Sequence, residues 1–270
     1  MKILLIGESC IDEYVYGTCD RICPEAPSIC FKSNGKITRN KGMASNALSN
    51  LKSLRPSIHI DLLTNESEIV KRRFVDTRYN TIVFREDCND SCDRINLEDK
   101  SFIGYDAIVF SDYCKGFLEE EDIKHICREG RYAFRFMDTK KRLGSFMQFL
   151  NFIKINQDEY NRNLDNDFLG QCENLIVTCG DKGAVHMAAE SEPTSIFRID
   201  DEGNSVRQHR FINNPTMYQT EKVDVRDVCG AGDTFLAALV IQYIESKNIP
   251  DSIKYANECA AKVVKKFGVA

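Results

Sequence analysis

The chain has no tryptophan, only four histidines and six prolines among 270 residues, and no surplus of basic charge. A formal net charge of −5 and a pI near 5.5 leave nothing over to neutralise a phosphate backbone, which argues against nucleic acid as a partner. No apolar stretch approaches the length of a bilayer span, which argues against a membrane partner. The strand-like run Lys2–Gly7 starts too early and is too short for the apolar core of a secretion signal. These absences point to the cytoplasm. With 15 glycines and 43% hydrophobic residues, collagen-like, low-complexity and wholly disordered readings fall away. Twelve cysteines are many for this length, yet no C-x-x-C occurs, and only the C-x3-C pairs Cys19/Cys23 and Cys88/Cys92 come near metal-ligand spacing. In a reducing compartment most of these thiols read as small buried hydrophobes.

What is present is enough apolar sequence for one large α/β domain or two small ones. Short apolar runs rich in β-branched residues recur at 3–6, 58–63, 81–84, 107–110, 132–137, 152–155 and 175–178. Helical patterns at 119–128, 143–150 and 157–163 fall between the later runs. Such alternation predicts a mostly parallel sheet covered on both faces, with ligands at the carboxyl ends of its strands. Beyond Gly183 come short extended segments at 184–188 and 195–199, then two helices at 231–247 and 250–267 with apolar residues at helical spacing. The polar stretch 86–100 reads as a flexible loop. Extended pieces at 13–16, 29–31 and 80–85 interrupt the alternation and suggest a small antiparallel flap over the sheet's mouth.

The strongest local signal is Asp227-Val-Cys-Gly230-Ala231-Gly232-Asp233-Thr-Phe, directly before a long helical pattern. Two glycines around an alanine let backbone N–H groups turn inward at a helix N-terminus, where the dipole and unpaired donors favour an anion. Asp233 falls in the first turn, placed to act as a general base on a substrate hydroxyl. Read locally, the same residues make a glycine-rich turn with an Asp capping a helix. The motif is neither a Walker A loop nor a G-x-G-x-x-G following the first strand.

The run resembles the second signature of the ribokinase-like (PfkB) carbohydrate kinases. Other parts of the chain match in the family's order: Gly42-Met-Ala-Ser-Asn46, Ser111-Asp-Tyr-Cys-Lys115-Gly116, Asp138-Thr-Lys140, Asn156-Gln-Asp-Glu159 and Gly180-Asp-Lys-Gly183. The opening Gly7-Glu-Ser-Cys-Ile-Asp12, with Arg21-Ile-Cys-Pro24-Glu25-Ala26-Pro27, is similar to the D-glycero-β-D-manno-heptose 7-phosphate kinases, the kinase part of bifunctional ADP-heptose synthases. This resemblance implies a three-layer ribokinase-like α/β sandwich over residues 1–270, one domain with lid segments near 13–31 and 80–87. It implies ATP-dependent phosphorylation of the anomeric hydroxyl of a heptose 7-phosphate. Asp233 would be the base, and the Gly230, Ala231 and Gly232 amides would hold the transferring phosphoryl group.

Asp12, Gly42 and Asn46 would bind sugar, and Arg21, Lys71 and Arg73 are candidates for its 7-phosphate. Asn156, Gln157, Asp158 and Glu159 form the N-x-x-E segment, whose Glu159 would organise Mg²⁺; read locally, Asn156 and Glu159 make a helix N-cap with its box partner. Gly180, Lys182, Gly183 and Asn257 would line the nucleotide site. Relatives that pair their lid strands imply a homodimer. The chain departs from the pattern at Met43, where the family has a second glycine, and at Cys229, where it has threonine. It is also shorter by about thirty residues between Leu63 and Lys71, on the order of one crossover unit, and the family continues past position 270. A kinase of another sugar, sugar phosphate or nucleoside, or a non-catalytic binding relic, stays open as an alternative.

Overall fold

The computed structural model describes residues 1–166, 168–169, 173–188, 196–199, 205–208, 215–224 and 228–265. Asp227, Ser195 and Phe267 therefore lie outside the described residues. In chain order the strands are β1 (Lys2–Gly7), β2 (Ser9–Ile22), β3 (Ile29–Met43), β4 (His59–Leu63), β5 (Ile69–Asp76), β6 (Thr81–Cys88), β7 (Ala107–Asp112), β8 (Phe134–Thr139), β9 (Phe152–Asn156), β10 (Asn174–Thr178), β11 (Ala184–Ala188), β12 (Ile196–Ile199), β13 (Ser205–Gln208) and β14 (Thr216–Tyr218). The helices are α1 (Ala44–Leu54), α2 (Glu120–Glu129), α3 (Gln157–Asn161), α4 (Ala231–Ser246) and α5 (Ile249–Val263).

The main sheet runs β14-β11-β10-β9-β8-β7-β1-β4. Every pair from β4 to β10 is parallel, and β11 and β14 close that edge antiparallel. The two-residue period of the strands splits their side chains between two cores. Ile3, Leu5, Val109 and Phe136 pack under α1, α4 and α5, whereas Leu4, Ile6, Ile108 and Met137 face α2 and the turn Ser145–Phe149. Strands buried on both faces need apolar residues at every position, which is why they read as continuous runs. The result is the expected three-layer α/β sandwich.

A separate four-stranded sheet, β3-β2-β5-β6, is antiparallel except for its central parallel pair β2–β5. It takes in the segments expected to be extended near 13–31 and 80–87, but its strands are longer, and β5 was not anticipated at all. Ile-Val-Lys-Arg-Arg-Phe-Val-Asp carries charge on both faces of the strand, so its alternation is masked. Residues 64–68 lead directly from β4 into β5.

Two expectations need correction. Residues 143–150 do not form an α-helix: Met147 N–H donates to Gly144 O and Leu150 N–H to Met147 O, the i→i+3 bonds of a 3₁₀ turn. Nor is 86–100 a free loop. Residues 86–88 belong to β6, and beyond it the Cys92 and Ile95 N–H groups donate to Lys115 O and Phe117 O, both at 2.8 Å. Ile95 is buried in the core, an apolar anchor inside polar sequence.

Candidate active site

The parallel strands end together at Gly7, Asp112, Thr139, Asn156 and Thr178, and α4 begins at that edge. Gly230 caps α4 at φ 77°, a left-handed conformation that costs glycine nothing. Asp233, 4% exposed, follows in the first turn. The Asn46 amide donates to its Oδ2 (2.8 Å) and the Tyr113 hydroxyl to its Oδ1 (2.7 Å). Burial pushes the Asp233 carboxyl up to about 6; the bonds from Asn46 and Tyr113 pull down, Asp138 pushes up and Lys154 pulls down. Gly232 lies against the buried Lys154–Asp138 ion pair (2.7 Å): a Cβ on it would come within 3.0 Å of Lys154 Nζ. Four of the predicted residues, Gly230, Ala231, Gly232 and Asp233, thus share one helix end.

The second sheet turns one face to this edge. Register aligns Asn40, Asp12, Lys71 and Asp87 across its four strands, with Thr38, Tyr14, Arg73 and Arg85 in the next row of the same face. Asp12 and Arg73 form a buried ion pair, and its carboxylate holds Arg73 above the ordinary guanidinium range despite burial. Lys71 Nζ sits over the Tyr113 ring, 5.1 Å from its centre, and burial lowers its affinity for a proton. Gly42 leaves room for the Asp12 carboxylate: a Cβ there would be 2.3 Å from Oδ2. Met43, the residue after it, has φ 55° and ψ −131°.

On the far side, Asn156 and Glu159 do form a reciprocal N-cap box on α3, with Glu159 N–H donating to Asn156 Oδ1 (2.8 Å) and Asn156 N–H to Glu159 Oε2 (2.7 Å). Lys140 Nζ lies 2.5 Å from the other Glu159 oxygen. Gln157 and Asp158 are exposed beside it. Between α4, α5 and the turn after β10 lies a cavity of about 200 Å³, lined by Gly180, Gly183, Thr220, Gly232, Phe235 and Asn257 among others. Asn257 is fixed by donating to Tyr218 O (2.8 Å). Lys182 is exposed in that turn. Arg21 is not brought to this edge: it is exposed at the outer end of β2, opposite Cys30.

Three participants carried no individual signal in the sequence. Glu8 is fully buried and accepts the backbone N–H groups of Tyr113 and Lys115, both at 2.8 Å. Tyr113 touches Asp233, and Lys154 pairs with Asp138. Tyr113 lies in a matched motif, but nothing about a lone tyrosine after a strand marks it as a neighbour of Asp233.

A parallel sheet with a helix N-terminus and a buried carboxylate at its carboxyl edge, faced by a small second sheet, is the arrangement of ribokinase-fold phosphotransferases. Solved structures agree in fold: ribokinase from Thermotoga maritima superposes with a TM-score of 0.72 at 15% identity, covering 99% of this chain and 94% of that one. Phosphofructokinase-2 from Escherichia coli gives 0.69 at 11%, covering 99% and 93%. The pfkB family carbohydrate kinase model matches residues 62–270, and the chain belongs to that family. It is a carbohydrate kinase, and the family implies use of ATP. Among curated proteins it is 27% identical over 300 residues to the bifunctional protein HldE of Nitratiruptor, covering 100% of this chain and 62% of that protein. HldE of Helicobacter pylori is 27% identical over 308 residues, covering 100% and 64%. The chain spans less than two thirds of the length of these relatives.

Proposed function

We propose that the chain transfers the γ-phosphoryl group of ATP to the anomeric hydroxyl of D-glycero-D-manno-heptose 7-phosphate. The observation that carries phosphoryl transfer is Asp233: a buried carboxylate at a helix N-terminus, raised in proton affinity and held between Asn46 and Tyr113. Similarity to HldE along the whole chain supports the heptose. Lys71 supports the substrate phosphate, since it is a buried cation that takes part in none of the site's ion pairs, Arg73–Asp12, Lys140–Glu159 and Lys154–Asp138.

In this reading Asp233 orients the hydroxyl and takes its proton as the phosphoryl group leaves ADP. The Gly230, Ala231 and Gly232 amides, at the positive end of α4, meet the charge on the transferring group. Asp12 holds sugar hydroxyls, and Asn46 offers a buried Oδ1 that has no partner among the described residues. ATP occupies the cavity beside Gly180, Gly183 and Asn257, with Ala260 and Val264 against the base. Lys182, exposed in the turn between Gly180 and Gly183, and Gln157 and Asp158, exposed at the start of α3, lie outside the cavity lining and would meet the nucleotide only from the solvent side. Magnesium, when bound, neutralises phosphate charge. Among the described residues no cluster of three or more His, Cys, Asp or Glu could hold a metal alone, and both Glu159 oxygens are engaged. That donor set fits an ion carried by phosphates and water, with Glu159 ordering the water.

We further infer one kinase domain whose second sheet is a lid, working in the cytoplasm. Its outer face carries the aligned row Ile37, Val15, Phe74 and Phe84, with Ile37 53% and Phe84 60% exposed. A second copy of the chain covering that row makes a homodimer. Light scattering should give twice the chain mass, and Phe84→Asp should give the monomer.

The deciding experiment is ADP release with heptose 7-phosphate beside fructose 6-phosphate and ribose. Heptose 7-phosphate should be preferred by at least ~100-fold in kcat/KM, and Asp233→Asn should abolish turnover while sparing the fold. Equal turnover of ribose would overturn the heptose assignment, and an active Asp233→Asn the base. ATP and heptose 7-phosphate binding without any turnover would leave a binding protein.

A further inference from the structure

Tyr113 takes no step of its own in the mechanism above, yet its 2.7 Å hydrogen bond to Asp233 is shorter than the one from Asn46. Its backbone cannot drift. Glu8, fully buried just after β1, accepts N–H groups from Tyr113 and Lys115 and, at 3.4 Å, from Phe117. The loop between them turns through Cys114 at φ 56° and Gly116 at φ 104°. The ring is fixed too, with Lys71 Nζ at 5.1 Å and Lys140 Nζ at 5.6 Å from its centre. A carboxylate has about four lone-pair sites. Tyr113 and Asn46 take one on each oxygen of Asp233, so the group cannot rotate and the remaining lone pairs point to fixed places.

We propose that Tyr113 is a positioning residue for Asp233: its hydroxyl, anchored through Glu8, locks the carboxylate in the orientation that receives the acceptor proton and stabilises its ionised form. The proposal rests on Asp233 being the base. Burial and the Asp233 charge keep the Tyr113 hydroxyl protonated far above neutral pH, so it acts as donor only. The other groups facing Asp233 are Asp138 of β8 and Lys154 of β9, Lys140 just after β8, Cys10 of β2, and the neutral Asn46 of α1. None of these is altered by removing one hydroxyl from Tyr113.

Tyr113→Phe keeps the ring and its cation contacts. The test is carboxyl ¹³C titration of the full chain labelled at aspartate, with the Asp233 signal assigned by its loss in Asp233→Asn. In wild type Asp233 should titrate near pH 6, and in Tyr113→Phe about one pH unit higher, the loss of one hydrogen bond to a charged group. Fluorotyrosine incorporated at position 113, a stronger donor, should move the midpoint down. In turnover, the acid limb of kcat/KM should rise by the same amount, with kcat at pH 7 reduced roughly tenfold and KM for ATP unchanged. A midpoint unmoved by both substitutions overturns the proposal. An Asp233→Asn variant that still turns over overturns the base reading instead, while the titration still decides whether Tyr113 governs that carboxylate.

Discussion

Met43 stands at φ 55° and ψ −131°, a conformation open to glycine and costly for other residues, in the order of 1–3 kcal/mol. It is also 3% exposed and packs against Cys10 and Ile69. The two facts set opposite terms against each other. Met43→Ala loses the buried side chain, about 2–5 kcal/mol, and keeps the strain; Met43→Gly loses slightly more side chain and sheds the strain. Urea denaturation should therefore find the glycine variant more stable than the alanine variant by about 1 kcal/mol, the reverse of the usual order in regular structure. Asp233 gives a second prediction at this scale. Its folded-state proton affinity is raised to about 6, so the folded chain binds more protons than the unfolded one between pH 4 and 6, and stability falls as pH rises through that window. At pH 7 the ionised carboxylate costs in the order of 2–3 kcal/mol. Asp233→Asn should thus be at least as stable as wild type at pH 7, with the advantage gone below pH 4. Wild-type activity should run the other way, lost as pH falls through about 6. Melts and rates across pH 4–8 check both signs.

At the scale of elements, Glu8 ties the end of β1 to the loop after β7, so one carboxylate organises the backbone that presents Tyr113. Glu8→Ala strands two well-made backbone donors and one longer one in a site with 0% exposure. It should destabilise by about 3–5 kcal/mol, and Glu8→Gln by less, because its carbonyl still accepts one bond; thermal melts distinguish them. A single Glu after a strand looks like a solvated residue in sequence, and only the closing of β7 beside β1 buries it. The same physics divides what was legible from what was not. Strands β1 and β7 to β10 were readable because burial on both faces demands unbroken apolar runs. β5 was hidden because one face serves the site through Lys71 and Arg73 while the other carries Arg72, bonded to Glu13 and Glu86. Asp233, Asn46 and Glu159 sat in recognisable spacings. Lys154 did not, and Tyr113, though inside the matched run 111–116, carried no mark of its role, since the meaning of both lies in neighbours far along the chain.

At the scale of the whole molecule, the place where the second sheet faces the carboxyl edge of the main sheet gathers cations that are unequally matched. Arg73 has Asp12, Lys140 has Glu159 and Lys154 has Asp138. Lys71 has no ion pair of its own among the described residues: its Nζ lies over the Tyr113 ring, and burial lowers its proton affinity more than the nearby Asp12 charge restores it. A ligand anion that reaches it there gains a partner that the protein has already desolvated, and it draws the two sheets together. Binding should then stabilise the folded chain by mass action, about 2.7 kcal/mol at a ligand concentration 100 times the dissociation constant. For a chain of this size that is a rise in Tm of roughly 5–10 °C. Heptose 7-phosphate should produce this rise at concentrations where unphosphorylated heptose does not, and Lys71→Met, which keeps the packing and removes the charge, should erase the difference. The anion also favours the charged form of Lys71, so the rise should shrink as pH climbs through the lysine's lowered range. Equal shifts from the two sugars in the wild-type chain would mean that the substrate phosphate lies elsewhere.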